Sequence, residues 1–426
     1  MSKPLCVIQG PVFNRSGYGD LATDLAKSLT RYGKYDVKIN PTRWGGCPSK
    51  ATVEELITDD DKQLATMFLT QPLNKQPDLF IQISIPNEFQ PIGHYNIGIT
   101  AAIETTHSPL DWVHGCNRMD LIIVPSEHSK KSLVDTVYNE ADKTTGQLIV
   151  QHRIQKPVEI LFEGFDEFDF GTEEVAHITE LDAIKEDFAF LFVGHWLRGD
   201  LGEDRKNVGM MIKTFAMAFK NEKVKPALVL KTSSAGFSIL DREAIISKIR
   251  ECLGKDYKSV PVYLLHGDLT PSEMNGLYEH PKVKAMLNFT KGEGFGRPLL
   301  EFSLTGKPVI VSNWSGHIDF LKKGAVLLEG ELKEVHESAA DQFLLKESQW
   351  FNVNISKALP LIKDVYKNYD TYKTESLKLS NNNKHNFSLS KMTKLFDTIL
   401  NQYGIYTKVQ PKFQQLQLPK LKMLNK

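Results

Sequence analysis

No stretch of this 426-residue sequence approaches the roughly 20 consecutive apolar residues that a membrane-spanning helix needs. The opening run MSKPLCVIQGPV is cut short at Gly10 and Pro11, too early for the apolar core and cleavage site of a signal peptide. A cytoplasmic location is therefore expected. Net charge is also missing: 52 Lys and Arg balance 52 Asp and Glu, so no global field draws the chain to nucleic acid or anionic lipid. Cysteine is scarce. Cys6, Cys47, Cys116 and Cys252 lie far apart, which excludes metal-type spacing and a disulfide framework and fits a reducing compartment. Acidic pairs of the kind that hold Mg²⁺ are absent too, so no metal site is expected.

What is present is ordinary folded-protein composition, 41% hydrophobic and 24% charged, at a length suited to two domains. Short apolar runs alternate with helical patterns, the signature of βαβ units and parallel sheets. Strands are expected at Leu5–Gln9, Tyr35–Ile39, Leu79–Ile85, Tyr95–Ala101, Leu121–Val124 and Val158–Phe162. A second series follows at Phe188–Val193, Ala227–Lys231, Val262–Leu265, Ala285–Phe289, Pro308–Val311 and Ala325–Leu328. Leu21, Leu25 and Leu29 mark a helix after the first strand. Two such series predict an α/β protein with two Rossmann-like domains, 1–175 and 176–375. From Ala340 the chain reads as mostly helical, with Asn381–Asn383 and Lys384 as a polar break. After that break a last helix is expected at Ser388–Tyr403, within a C-terminal segment 376–408, and 409–426 is a basic tail without an acidic side chain. Charge is uneven along the chain: residues 1–175 carry 16 basic and 24 acidic side chains.

The segment Gly292-Glu293-Gly294-Phe295-Gly296-Arg297-Pro298-Leu299-Leu300-Glu301 carries the most chemistry. The strand AMLNFT runs into it, its glycines let backbone approach a ligand, and Pro298 suits a helix's first turn. Amides at that helix start form a ready anion site. Read blandly, it is a Gly-rich turn with a surface glutamate. A second segment, VGHWLRGDLGEDRKNVGMMI, places Arg198, Arg205 and Lys206 in a polar loop between a strand and a helix. Two cations there could stabilise a departing diphosphate without a metal, and a solvated charge cluster is the plain alternative.

These segments resemble family 4 of the glycosyltransferases, which have the GT-B fold. The likeness covers about residues 5–330 and is strongest over 188–320. It implies two Rossmann-like domains facing across a cleft, an acceptor domain followed by a donor domain, and a last helix that crosses back to the first. It implies that Glu293 holds the donor sugar near its reacting carbon and that Glu301 accepts from the ribose hydroxyls. Gly294, Phe295, Gly296 and Arg297 would face sugar and diphosphate. Lys206 matches the family's diphosphate lysine, whereas Arg198 and Arg205 compete for its arginine because Gly194-His195 replaces the usual Gly-Arg pair.

The loop Gly10–Gly19 follows the first strand, and the resemblance puts Gly17 and Gly19 under the donor phosphates. It is not the G-x-G-x-x-G fingerprint, which weakens a nicotinamide reading. The strand ending in Glu104-Thr105-Thr106-His107 offers two candidates, Glu104 and His107, for a contact to the donor sugar. Gly267-Asp268-Leu269-Thr270 follows a further strand where the resemblance puts the nucleobase, and Lys231-Thr232-Ser233 ends another that faces the same cleft, which makes Leu269 and Thr232 donor-binding candidates. Arg15 and Arg43 lie on the acceptor side.

The reading implied is a metal-independent, retaining transferase using no cofactor and a nucleotide-sugar donor, a UDP-sugar first among them. The acceptor is a saccharide, a lipid-linked or a small-molecule hydroxyl. NEFQPIGHYNIGITAAIETTHSPLDW is also similar to glycosyltransferases of tailed phages, some of which modify hydroxymethylated DNA bases, so DNA is the alternative acceptor. A silent nucleotide-sugar binder would not hydrolyse donor, and an epimerase would exchange sugar isomers without any acceptor.

Overall fold

Residues along each strand alternate between two apolar faces, and each face is covered by its own helices. The computed structural model describes residues 3–47, 49, 59–170, 175–234, 236 and 238–405. The first half runs β1 (Leu5–Gly10), α1 (Gly17–Tyr32), β2 (Asp36–Pro41), α2 (Asp59–Thr66), β3 (Leu79–Ile83), β4 (Tyr95–Ile99), α3 (Leu110–Asn117), β5 (Leu121–Val124) and α4 (Glu127–Val134). A hairpin of β6 (Tyr138–Ala141) and β7 (Leu148–His152) precedes β8 (Val158–Ile160). Six parallel strands make the sheet, in the order β2-β1-β3-β4-β5-β8. Ile8 and Ile81 face α1, whereas Val7 and Phe80 face the opposite side.

The second half runs β9 (Ala189–Val193), α5 (Val208–Phe219), β10 (Ala227–Lys231), α6 (Ile239–Leu253), β11 (Val262–Leu265), α7 (Pro271–Glu279), β12 (Val283–Asn288), α8 (Arg297–Ser303), β13 (Val309–Ser312), α9 (Ile318–Leu321) and β14 (Val326–Leu328). These six strands are parallel in the order β11-β10-β9-β12-β13-β14, that of a doubly wound dinucleotide-type sheet. Phe190, Phe192, Leu228 and Leu230 pack under α5 and α6, and Leu191, Val229 and Val311 pack on the other face with α7 and α8.

Beyond residue 325 one expectation holds in part and one fails. The chain from Ala340 is mostly helical, but only after a hairpin: β15 (Gly330–Glu334) pairs antiparallel with β16 (Gln349–Val353), and α10 (Ile355–Lys367) follows. Trp350 and Phe351 are buried there, which repays the hairpin. Asn381–Asn383 do not break a helix, for they lie inside α11 (Tyr369–Asn386). Asn383 is buried and donates from Nδ2 to Ser303 Oγ of α8 (2.9 Å), and Ser380 donates to Leu304 O (2.6 Å). Tertiary partners override weak local propensity.

The last described helix, α12 (Leu389–Gln402), inserts Leu389, Met392, Phe396, Ile399 and Leu400 into the core of the first domain beside α1. This is the helix expected at Ser388–Tyr403, whereas residues 376–386 of the C-terminal segment stay on the second domain with α8. The chain thus passes between domains at Gly164–Phe165 and again at Phe387–Leu389. The two passages are hydrogen-bonded side by side, Phe165 N to Phe387 O (3.1 Å) and Leu389 N to Phe165 O (2.8 Å). The tail 409–426 lies outside the described residues.

Because Phe396 belongs to the first domain's core, Phe396→Ala should lower stability by about 3–5 kcal/mol. Hydrogen exchange should locate that loss in β1 and α1, far away in sequence. Loss of protection confined to α10 and α11 would contradict the packing.

Candidate functional site

In the second sheet β9 and β12 are neighbours whose onward connections leave in opposite directions. A crevice outside their carboxyl ends is where open α/β sheets take ligands. Arg205 and Lys206 end the loop after β9, and Glu293 lies in the loop after β12. Lys206 Nζ sits 2.5 Å from Glu293 Oε1, and Arg205 Nη1 sits 3.4 Å from Glu293 Oε2. Arg205 also donates to Gly292 O (2.9 Å) and meets Glu104 Oε1 of the first domain at 3.2 Å. Burial alone would raise the Glu293 carboxyl; the charges of Lys206 and Arg205 overcome it and hold the group at about 2. Burial lowers Lys206, with Glu293 opposing.

A relay fixes the Glu293 backbone. His317 is fully buried and its pKa is lowered by burial. Its Nε2 lies 2.8 Å from Ser312 O, a pure acceptor, so the proton is on Nε2. Nδ1 then accepts from Ser315 Oγ (3.4 Å), which in turn accepts the Glu293 amide (2.9 Å). Gly316 N closes the loop on Glu293 O (3.0 Å). Gly292 is required by close approach, since a Cβ there would lie 2.1 Å from Glu104 O. Gly296 sits at φ 95 at the start of α8, a conformation that favours glycine.

Among the described residues, four non-glycine residues take left-handed backbone: Phe13 (φ 63), Ala102 (58), Asn207 (53) and Ser315 (82). They stand in loops that follow β1, β4, β9 and β13. Each costs about 1–2 kcal/mol, strain of the kind that gathers at functional sites.

Several expected residues are elsewhere. Arg198 turns away from the crevice: its Nη2 donates to Ala339 O (3.1 Å) and Ala340 O (2.8 Å) and pairs with Asp341 (2.8 Å). Of the two arginines, Arg205 alone reaches Glu293. His107 is exposed with its ring on Thr106 Oγ1 (2.9 Å), while Glu104 takes the cleft position on Arg205. Arg297 does not face an open ligand space, because its guanidinium is enclosed between Asp24 of α1 (2.5 Å) and Glu301 (3.0 Å). Glu301 is buried, with one oxygen on Arg297 and the other accepting from Tyr278 (3.0 Å), and burial raises it to about 7.

Arg15 pairs across the cleft with Asp268, beside Leu269, rather than facing an acceptor. Arg43 is exposed next to Trp44, whose ring stacks on Tyr18 at 4.0 Å. Gly19 is pressed against Asn14 O, where a Cβ would come within 1.9 Å, while no atom lies within 4 Å of a Cβ at Gly17. Phe295 is buried on Phe320 (5.0 Å). Gly294 presents its carbonyl to Ser126 Oγ of the first domain (2.6 Å). Thr232 is buried, and among the described residues its Oγ1 has no hydrogen-bond partner. No three His, Cys, Asp or Glu side chains are grouped to hold a metal among the described residues, and no helix there is long and apolar enough to cross a membrane.

Sequence reasoning missed Asp24, Ser126, Glu163, Lys291, Ser315 and His317. The Ser-Gly-His run after β13 was a readable signal for the last two; nothing local marks the others.

Glu163 lies on the passage out of the first domain. Burial lifts it from an ordinary 4.5 to about 8, with Arg297 opposing. The folded state therefore holds a proton that the unfolded chain releases near 4.5, and stability falls as pH rises through that window. Glu163→Gln should gain in melting temperature over the wild type between about pH 5 and about pH 9. A gap that stays constant would refute the burial argument.

No protein-family model matches the chain, and no curated protein matches its sequence. Solved structures do match its shape. HepE from Anabaena, solved with UDP and glucose, aligns over 94% of this chain and 100% of its own at 12% identity, TM-score 0.59. A glycosyltransferase from Rickettsia africae aligns over 96% and 99% at 13% identity, TM-score 0.60. Sucrose-phosphate synthase from Thermosynechococcus elongatus aligns over 94% and 99% at 12% identity, TM-score 0.58. Such likeness establishes architecture: the chain has the GT-B fold, two Rossmann-like domains whose parallel sheets face each other across a cleft.

Proposed function

We propose that this chain is a glycosyltransferase that moves a sugar from a nucleoside-diphosphate sugar to an acceptor hydroxyl, with retention and without a metal or cofactor. The observation that carries the reading is the convergence of Lys206 and Arg205 on Glu293 at the switch point of the second sheet. A leaving diphosphate needs fixed positive charge where its own charge develops, and two oriented cations supply it. UDP is the first choice of nucleotide, supported by the neighbour solved with UDP-glucose. The acceptor oxygen attacks the anomeric carbon on the face from which UDP departs. The bond to the β-phosphate oxygen breaks, and that oxygen takes the acceptor's proton. Glu293 orients the sugar.

The acceptor is a saccharide, a lipid-linked or a small-molecule hydroxyl, met in the cytoplasm. No particular observation favours a DNA base: of the acceptor-side cations Arg15 pairs with Asp268 and Arg43 is exposed, and the basic tail 409–426 lies outside the described residues.

The crevice sets two cations, Arg205 and Lys206, against two carboxylates, Glu104 and Glu293. A diphosphate must displace one carboxylate, and Glu104, with a quarter of its side chain exposed, is the more mobile. Lys206→Ala should lower donor turnover about 10²–10³-fold in a UDP-glucose hydrolysis assay. Glu104→Gln should tighten UDP about threefold by calorimetry while slowing transfer. Normal turnover in Lys206→Ala, or weaker UDP in Glu104→Gln, would overturn the assignment. Activity should also survive EDTA; complete loss restored by Mn²⁺ would remove the metal-free mechanism.

A further inference from the structure

Lys291 directly precedes the Gly292-Glu293 loop and is wholly buried, with no part of its side chain exposed. Its ammonium lies 3.0 Å from Glu203 Oε2 and 4.7 Å from the centre of the Trp350 ring. Its backbone is also committed at both ends: Lys291 N donates to Arg205 O (2.7 Å), and Phe351 N donates to Lys291 O (2.9 Å). One residue therefore ties three segments, namely the 203–206 loop, the Glu293 loop and the β15–β16 hairpin.

A lysine is a poor choice for packing alone. Burying an ammonium is expensive, and one carboxylate on the surface side, among the described residues its one ion-pair partner, does not return the hydration it gave up. An apolar side chain of the same length would fill the slot at no such penalty. Burial also lowers the pKa of this lysine, with Glu203 opposing. What the ammonium achieves, and a methionine could not, is to fix Glu203, two residues before Arg205 and three before Lys206. The Trp350 ring closes the slot through a cation–π contact.

We propose that Lys291 is a positioning residue for the diphosphate. Through Glu203 and the Arg205 carbonyl it sets the loop that aims Arg205 and Lys206, and the β15–β16 hairpin is the wall that holds it there. With its side chain buried, Lys291 itself touches no ligand. The inference rests on the donor reading above.

The test compares UDP with uridine, since only UDP carries the diphosphate. Calorimetry on the full-length wild type, Lys291→Met and Glu203→Gln gives the ratio of the two affinities, and thermal melts give stability. Lys291→Met should weaken UDP about tenfold and leave uridine unchanged, with a melting temperature no lower than wild type. Glu203→Gln, on a partly exposed side chain that does not threaten folding, should shift the ratio the same way by about threefold. A packing role would instead lower the melting temperature and weaken both ligands alike. If both variants keep the wild-type ratio, or if Lys291→Met fails to fold and Glu203→Gln keeps it, the positioning role is wrong while the donor reading stands. A wild type that does not prefer UDP to uridine would overturn the donor reading and this inference together.

Discussion

A carboxylate taken out of water must be met by cations, and that requirement fixes the centre of this protein. Glu293 is buried, yet the structure keeps it ionised at about 2, because Lys206 and Arg205 reach it from another loop. For those charges to arrive, the loop after β9 has to close over the loop after β12. The closure is made by backbone as much as by charge: Lys291 N takes the Arg205 carbonyl, and Ser315 takes the Glu293 amide. The left-handed backbone at Asn207 and Ser315 is the strain this arrangement stores.

The same electrostatic demand joins the domains. Arg205 meets Glu104, Arg297 meets Asp24, and Arg15 meets Asp268, each pair spanning the cleft. Around Arg297 the balance is uneven, for Asp20, Asp24, Glu163 and Glu301 all act on one guanidinium. Burial therefore leaves Glu163 and Glu301 with raised pKa values instead of a second cation. The polypeptide adds its own constraint where Gly164–Phe165 and Phe387–Leu389 cross side by side. A Cβ on Gly164 would stand 2.6 Å from Leu389 Cα, so the two passages are pressed together without room for a side chain. With α12 rooted in the first core, separation of the domains has to pivot about this double crossing.

Both sheets were legible because alternation and burial on two faces leave a periodic trace: Leu79–Ile85 and Phe188–Val193 read as strands, and Leu79–Ile83 and Ala189–Val193 are strands. The short hairpins left no such trace. β6 and β7 are mostly exposed, and β15 and β16 are held by Trp350 and Phe351 buried against distant segments. Asn381–Asn383 misled because the Ser303 hydroxyl that satisfies Asn383 lies 80 residues away. In the site, Glu293 and Lys206 stood out through motif and spacing. Arg198 and Arg205 were indistinguishable in sequence, since the difference is which one the 336–341 loop captures. Lys291 was invisible as a functional residue, because a lysine's ordinary place is the surface and only the closed structure shows it buried.

The charges in the cleft are balanced within the protein itself. Two cations left facing each other in a low-dielectric crevice would repel, and Glu104 and Glu293 prevent this. On the glycosyltransferase reading, the diphosphate then enters by exchange and not by simple addition. It replaces a carboxylate that belongs to the opposite domain, so filling the donor site and loosening one interdomain pair become the same event. Glu293 is the less free of the two, its carboxylate buried and shared between Lys206 and Arg205. Glu104 is the freer, being partly exposed and held through its side chain by Arg205. The donor thereby takes over, from a residue of the acceptor domain, the work of neutralising Arg205.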